Sequence, residues 1–445
     1  MPRTRSTPAG ASPGYARVFA VREFRAVFVA HAFSLLGVVV SEIALTVLVY
    51  GLTGSPLLSA LTFALGMLPY LIGGTLLSGI ADRFPPRRVL VLCDMACAGC
   101  AALMALPTTP VAALLALRCA IALVSPVFNG TRMATLTDIL GDGDLFVLGR
   151  SLLRIVSQSS VLAGFGLGGV LLTFVTPRAA LAITVCTFAL SALVLRCGTR
   201  RRPAREGEGE GEGNGGGGAL VRYSLSGARR VLGDRRVRAL LLLFWVPPMF
   251  LVAPEVLAAP YADEIGIGVG GVGLLMCAPP VGTVAGELYA GSVLSASARA
   301  RIVLPLASLV LVPLVVYAFT PGLVPALAAL ALAGAGSAYT LGLDRWFVDA
   351  VPEELRGRAM TVLTAGLMTV QGLGMALAGL AAEFWAVSTV VAGAGLLGTA
   401  CCLLLVLEVR RTRDAGARQR ERAEGGGLER TTESRDGADQ HVTDG

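Results

Sequence analysis

Most charged residues of this chain lie in segments that separate long apolar runs. A helix needs about 20 apolar residues to cross about 30 Å of hydrocarbon, and most of these runs are close to that length. Charged residues make up 15% of the chain and hydrophobic residues 54%. Soluble domains carry about 25% charged residues. The pattern therefore predicts an all-α membrane protein.

Twelve apolar runs are predicted to be membrane spans, and we number them 1 to 12 in chain order. The first six cover 26–50, 56–80, 89–106, 111–135, 152–175 and 179–195. The second six cover 239–262, 270–294, 302–319, 322–343, 359–382 and 386–407.

These spans predict two six-helix bundles, at 26–195 and 239–408, joined by a flexible linker at 196–238. A cytoplasmic segment at 1–25 and a disordered tail at 409–445 complete the predicted organisation. The linker contains an alternating Glu-Gly tract that starts at Glu206. Such a composition cannot bury a core and is typical of a flexible tether.

The arginines predict the orientation, because positive charge is enriched in cytoplasmic loops. All 37 basic residues are arginine. With both termini in the cytoplasm, Arg178 lies in an outer loop and Arg118 lies inside a span, and we count all others with the cytoplasmic segments. We therefore expect a multi-pass protein of the cell membrane. The net charge of +7 reflects this topology and does not indicate a nucleic-acid partner.

Three charges lie deep inside predicted spans: Glu42 in span 1, Arg118 in span 4 and Glu255 in span 7. Each is about 12 Å from the outer end of its span, at a rise of about 1.5 Å per residue. An ionisable side chain at mid-bilayer costs at least about 2.5–3.5 kcal/mol, so it usually faces a cavity or a partner. We expect Glu42 and Arg118 to pair, with Glu255 facing them from the second bundle.

Such a pair suits proton coupling, because burial and a neighbouring arginine act in opposite directions on the pKa of a carboxylate. Protonation could then compete with a cationic substrate. A static ion pair that only fixes helix packing is the alternative interpretation. Asp94 and His31 lie near the cytoplasmic ends of their spans. We expect Asp94 to snorkel or pair at the interface and His31 to pack between helices.

The chain holds nine cysteines, mostly in apolar runs, but only two histidines. A metal site would need convergent charged or imidazole ligands. We therefore expect no metal, no cofactor and no disulfide framework.

The loop after span 2, residues 78–88, reads SGIADRFPPRR. It resembles the Gly-x-x-x-Asp-Arg-x-Gly-Arg-Arg signature of the major facilitator superfamily, although the first glycine is shifted by one position and Pro85 replaces the second. The resemblance implies two pseudo-symmetric six-helix bundles whose first, fourth, seventh and tenth helices line a central cavity. It also implies a cytoplasmic gating loop in which the aspartate contacts the start of the eleventh helix. The residues expected in this gating region are Asp82, Arg83, Arg87, Arg88, Asp94 and Arg356. Alternatively, these charges only enforce the topology.

Residues 163–170, AGFGLGGV, are similar to the Gly-Pro-x-x-Gly-Gly pattern of the family's antiporters, with Phe165 in place of the proline. The glycines of this motif are Gly164, Gly168 and Gly169, although close helix packing alone could also select them. Residues 49–56 and 351–359 resemble the branch that exports drugs and siderophores by proton antiport. Such exporters often carry an aspartate where this chain has Val38, so a coupling carboxylate would lie elsewhere.

We expect a monomeric secondary transporter that uses the proton gradient to export a small amphipathic molecule, a drug or natural product, across the lipid bilayer. An ATP-driven pump is not expected, because a chain without lysine cannot contain the Gly-x-x-x-x-Gly-Lys-Ser/Thr phosphate-binding motif. Proton-coupled uptake of a small solute and a non-transporting sensor remain alternatives. An enzyme is not expected, since no concentrated set of catalytic residues is present.

Overall fold

The first bundle is built from long helices that extend past the predicted apolar runs. The structure is a computed structural model that describes residues 15–76, 84–141, 144–203, 233–352 and 356–412. A short helix, Tyr15–Ala20, precedes the first span. Spans 1 to 6 are Arg22–Thr53, Pro56–Leu76, Pro86–Ala105, Val111–Leu140, Asp144–Phe174 and Pro177–Gly198. Most of the predicted linker and tail, at 204–232 and 413–445, lies outside the described residues.

The helices of the second bundle are more often interrupted. Span 7 consists of Arg235–Leu251, Ala253–Val256 and Ala258–Glu264, and span 8 is Gly268–Ser292. Span 9 joins the α-helix Ala296–Leu309 to a 3-10 helix, Val312–Phe319. Span 10 consists of Leu323–Gly336 and Tyr339–Ala350, span 11 is Arg356–Ala381 and span 12 is Val387–Thr412. Within the described ranges, eleven helices are long and apolar enough to cross a membrane. Span 2, Pro56–Leu76, is not among these eleven because its described apolar part is shorter. The prediction of an all-α membrane protein is confirmed.

The breaks in span 7 follow its prolines. Pro247 has no N–H, so the carbonyl of Leu243 loses its helical partner. The hydroxyl of Tyr339 in span 10 donates to that carbonyl at 3.2 Å. Such replacement partners are what allow a broken helix to stay within a membrane. The carbonyl that Pro247 leaves free inside Arg235–Leu251, well before the first break of span 7, is thus satisfied by span 10 of the same bundle.

The two bundles pack together where span 2 meets span 11 and where span 5 crosses span 8, and backbones touch at the second crossing. A Cβ atom on Gly169 would collide with the backbone of Gly273, and the reverse is also true. Beside this crossing, the thiol of Cys277 contacts the carbonyl oxygen of Leu162 at 3.7 Å. The other two glycines of the motif face span 1, where Gly164 packs against Val39 and Gly168 against Ile43. All three motif glycines therefore lie at close helix contacts.

Polar contacts also join the bundles on the side of the molecule opposite the linker, which we call the opposite face. The carboxylate of Glu383, after span 11, accepts hydrogen bonds from the Ser55 hydroxyl and, at 3.0 Å, from the Leu57 amide. These groups form the start of span 2, where the helix dipole favours a negative charge. Tyr50 donates to Asp263 at 3.4 Å. A carboxylate from one bundle thus caps a helix of the other.

We predict that Gly169→Ala lowers the stability of the protein, because the added methyl group has no space against Gly273. Overpacking of this kind costs about 1–3 kcal/mol. Thermal unfolding in detergent measures the effect. Gly99→Ala is the matched control, since a Cβ atom there meets nothing within 4 Å. Equal melting temperatures for the two variants would contradict the close contact.

Candidate functional site

The centre of the candidate site is an ion pair between Glu42 of span 1 and Arg118 of span 4. The Nε atom of Arg118 also donates to the Thr62 carbonyl of span 2 at 3.2 Å. Gly66 leaves room for the guanidinium, because a Cβ atom there would collide with it. The Arg118 side chain is 4% exposed and that of Glu42 is 18% exposed. The arginine is thus enclosed by three spans, whereas the carboxylate remains partly accessible.

Hydroxyl groups fix the backbone around this ion pair. The hydroxyls of Thr46 and Thr62 lie 2.6 Å apart and join spans 1 and 2. Thr46 donates to the Glu42 carbonyl at 2.8 Å, and Thr62 donates to the Ser59 carbonyl at 2.7 Å. Thr62, whose carbonyl accepts the hydrogen bond from Arg118, is therefore itself held by Thr46 of span 1.

Glu255 lies in the short helix Ala253–Val256, between the two breaks of span 7. This short helix lies against span 2 of the first bundle, the span whose Thr62 carbonyl accepts the hydrogen bond from Arg118. Among the side chains that the structure describes, none forms a hydrogen bond or ion pair with Glu255. The structure pairs Glu42 with Arg118 and places the helix of Glu255 against span 2. The role of the three charges in transport stays a prediction.

Asp94 differs from its expected place at the membrane interface, because its side chain is buried. It is 1% exposed. Its Oδ1 accepts from Ser34 of span 1 at 3.0 Å, and its Oδ2 accepts from Ser191 of span 6 at 2.5 Å. The expectation of snorkelling was wrong, since these hydroxyls supply the hydrogen bonds that a buried carboxylate requires.

A second polar cluster lies beside Asp94 and was missed by the sequence analysis. Arg132, counted above with the cytoplasmic charges, is only 7% exposed inside span 4. Its guanidinium contacts His31 Nδ1 and donates to Asn129 Oδ1 at 2.8 Å. His31 Nε2 lies 2.9 Å from the Ser157 hydroxyl, so the histidine does more than pack. With Asp94, this cluster lines a cavity of about 100 Å³. The only signal in the sequence was the i, i+3 spacing of Asn129 and Arg132.

The structure describes only part of the predicted gating region. Asp82 and Arg83 lie outside the described residues, as does the side chain of Arg356. Arg87 donates to the carbonyl of Arg196 at the end of span 6. Arg88 is exposed. A contact between this loop and span 11 therefore stays a prediction. In the described ranges, no group of three or more His, Cys, Asp or Glu side chains could hold a metal ion.

Comparisons with known proteins give one family and one fold. Residues 27–258 and 248–434 match the family model described as Major Facilitator Superfamily. No curated protein sequence matches the chain.

Solved structures of similar fold cover almost the whole chain. The nucleoside transporter NupG is 13% identical, with a TM-score of 0.65 over 87% of this chain and 98% of its own. A POT family transporter in complex with a thioalcohol-conjugated peptide is 12% identical, with a TM-score of 0.65 over 88% of this chain and 96% of its own. A bacterial homologue of the human lysosomal transporter Spinster, inward-facing and unoccupied, is 16% identical, with a TM-score of 0.60 over 90% and 95%.

We predict that Arg118→Met destabilises the protein, because it leaves Glu42 without its counter-charge in a mostly buried position. Breaking a buried ion pair from one side costs about 3–5 kcal/mol, whereas replacing both partners is often nearly neutral. The double variant Glu42→Gln with Arg118→Met should therefore recover most of the loss in thermal unfolding. Arg235→Met serves as control, since its pair with Glu408 is largely exposed. Additive losses in the double variant would show that the pair is not coupled.

Proposed function

The chain belongs to the Major Facilitator Superfamily and is a multi-pass membrane transporter, and we propose that it exports a small amphipathic molecule in exchange for protons. The observation that carries this proposal is the Glu42–Arg118 ion pair, held by span 2, which also contacts the helix of Glu255 in the other bundle. The sequence motifs that resemble the drug and siderophore antiporters support the same direction of transport.

Competition between a proton and a cationic ligand would provide the coupling. Glu42 and Glu255 repel each other when both are ionised, so their shared site favours either a proton or a bound cation. Arg118 neutralises part of this charge from a position that Thr62 fixes. A ligand cation that binds between the carboxylates then favours release of a proton, and protonation favours release of the ligand.

Apolar surface next to the broken helix would accommodate the rest of the substrate. Met249, Phe250 and Ala253 of span 7 line a pocket of about 490 Å³ together with spans 11 and 12. This volume is within the range of about 300–1,000 Å³ that ligand sites usually have. Methionine and aromatic side chains adapt to ligands of varied shape.

Transport would proceed by rocking of the two bundles around this site, as in other transporters built from repeats. Asp82 and its neighbouring arginines would hold the cytoplasmic side closed against the start of span 11. The proposed location is the cell membrane, with both termini in the cytoplasm. The side of the molecule on which span 6 ends and span 7 begins, which we call the linker face, then lies inside the cell.

Uptake by proton symport is the second candidate function, because similar structures are named for nucleoside and peptide transport. The direction can be measured once a screen of drug sensitivity, on deletion and overexpression, has identified a substrate. Accumulation in inverted vesicles supports export. Accumulation in intact cells supports uptake.

We predict that Glu42→Gln abolishes transport driven by a pH gradient, because the group that exchanges the proton is lost. Substrate counterflow, which needs no gradient, should persist in the same proteoliposomes. Glu408→Gln is the control, since this acid lies at the end of span 12, outside the site. Full gradient-driven transport by Glu42→Gln would exclude the coupling role.

A further inference from the structure

The first bundle contains a basic pocket lined by two predicted gating residues, Arg87 and Arg88, and by three arginines that the proposed transport cycle does not use. It lies on the linker face, between the start of span 3 and the end of span 6, and has a volume of about 570 Å³. The pocket is lined by five arginines, Arg87, Arg88, Arg196, Arg201 and Arg202. Pro85, just before span 3, and Val91 and Leu92 of span 3 form its apolar wall. We call it the arginine pocket.

Most of the positive charge in the arginine pocket is not neutralised by described residues. Arg202 pairs with Glu23 at 2.5 and 3.0 Å and is also influenced by Asp138. In the described ranges of the chain, Arg88, Arg196 and Arg201 form no ion pair, and all three are exposed. Guanidinium groups bind phosphate with two parallel hydrogen bonds. The chemistry of the pocket therefore fits a phosphate-bearing anion.

The apolar wall of the pocket indicates that this anion carries a hydrocarbon chain. Leu92 lies four residues after Arg88 on span 3, one helical turn further into the span, and is 67% exposed. A free phosphate would contact the arginines and leave this wall uncovered. The pocket also lies where charged residues give way to an apolar span, which is the level of the lipid headgroups.

We propose that the arginine pocket binds an anionic phospholipid of the leaflet on the linker face. Its phosphate lies against Arg196 and Arg201, and an acyl chain follows Val91 and Leu92. The lipid would join span 3 to the end of span 6, where the linker begins. Because basic residues near an anionic leaflet each contribute about fivefold in binding, the pocket favours anionic over zwitterionic lipid. The proposal does not depend on the direction of transport.

The test is lipid binding by the purified full chain in detergent, measured by native mass spectrometry and by thermal unfolding. Phosphatidylglycerol and phosphatidylcholine with identical acyl chains are compared. The double variant Arg196→Gln with Arg201→Gln leaves the predicted gating residues intact. We expect it to lose about 25-fold in affinity for phosphatidylglycerol, as two arginines are removed. The double variant Arg238→Gln with Arg410→Gln removes the same charge from exposed positions of the second bundle and should bind as the wild type does.

Two further experiments test whether the arginine pocket binds something other than a lipid. Inorganic phosphate that stabilises the protein as strongly as phosphatidylglycerol would overturn the lipid assignment in favour of a free anion. Replacement of the glutamates in the tract that starts at Glu206 by glutamine tests whether the chain fills its own pocket. A lipid preference that appears only in that variant would show that the linker is the occupant, and equal preference in both proteins supports the proposal. If the two arginine double variants lost equal affinity for phosphatidylglycerol, general surface charge would explain the binding and the proposal would be wrong.

Discussion

Hydrocarbon cannot form hydrogen bonds with a polypeptide backbone, so every N–H and C=O group within the bilayer must find its partner inside the protein. Regular helices meet this demand without help, but span 7 contains prolines that release carbonyl groups. The Tyr339 hydroxyl takes up the carbonyl that Pro247 frees, and the Trp245 side chain donates to the Leu363 carbonyl of span 11 at 2.9 Å. Spans 10 and 11 thus hold the helix Arg235–Leu251, which precedes the short helix that carries Glu255.

Hydrocarbon also makes an isolated charge energetically unfavourable, and the first bundle stabilises its buried charges in two ways. Arg118 is paired with an opposite charge that remains partly accessible, and the proposed exchange of a proton requires such access to Glu42. Asp94 instead receives hydroxyl groups from two serines and is almost completely enclosed. Hydroxyl donors neutralise no charge, but they hold the carboxylate in one position. The Glu42–Arg118 pair is suited to the proposed exchange of a proton. The Asp94 hydrogen bonds are suited to holding spans 1, 3 and 6 in a fixed position.

The fold could be predicted from the sequence because the bilayer fixes the length of a span and the arginines mark one side of it. The proximity of Glu42 and Arg118 could also be predicted, since opposite charges at equal depth have few other partners. The burial of Asp94 could not, because its partners are serines, of which Ser191 is 97 residues away in the chain. Arg132 was counted with the cytoplasmic charges although the predicted span 4 includes it. Its contact with His31, 101 residues away in the chain, could not be predicted from the sequence. Pro247, Pro248 and Pro254 stand close to the breaks of span 7, but the sequence does not show which side chain satisfies a released carbonyl.

The crossing of Gly169 and Gly273 has a mechanical consequence. Helices usually interlock through ridges of side chains that fit into grooves, and this fit fixes the angle between them. Two glycines bring bare backbones together and remove those ridges at the point of contact. One bundle can tilt there over the other without any side chain having to change its rotamer. Side chains offer little resistance to rotation at this crossing, so it can serve as a pivot between the bundles.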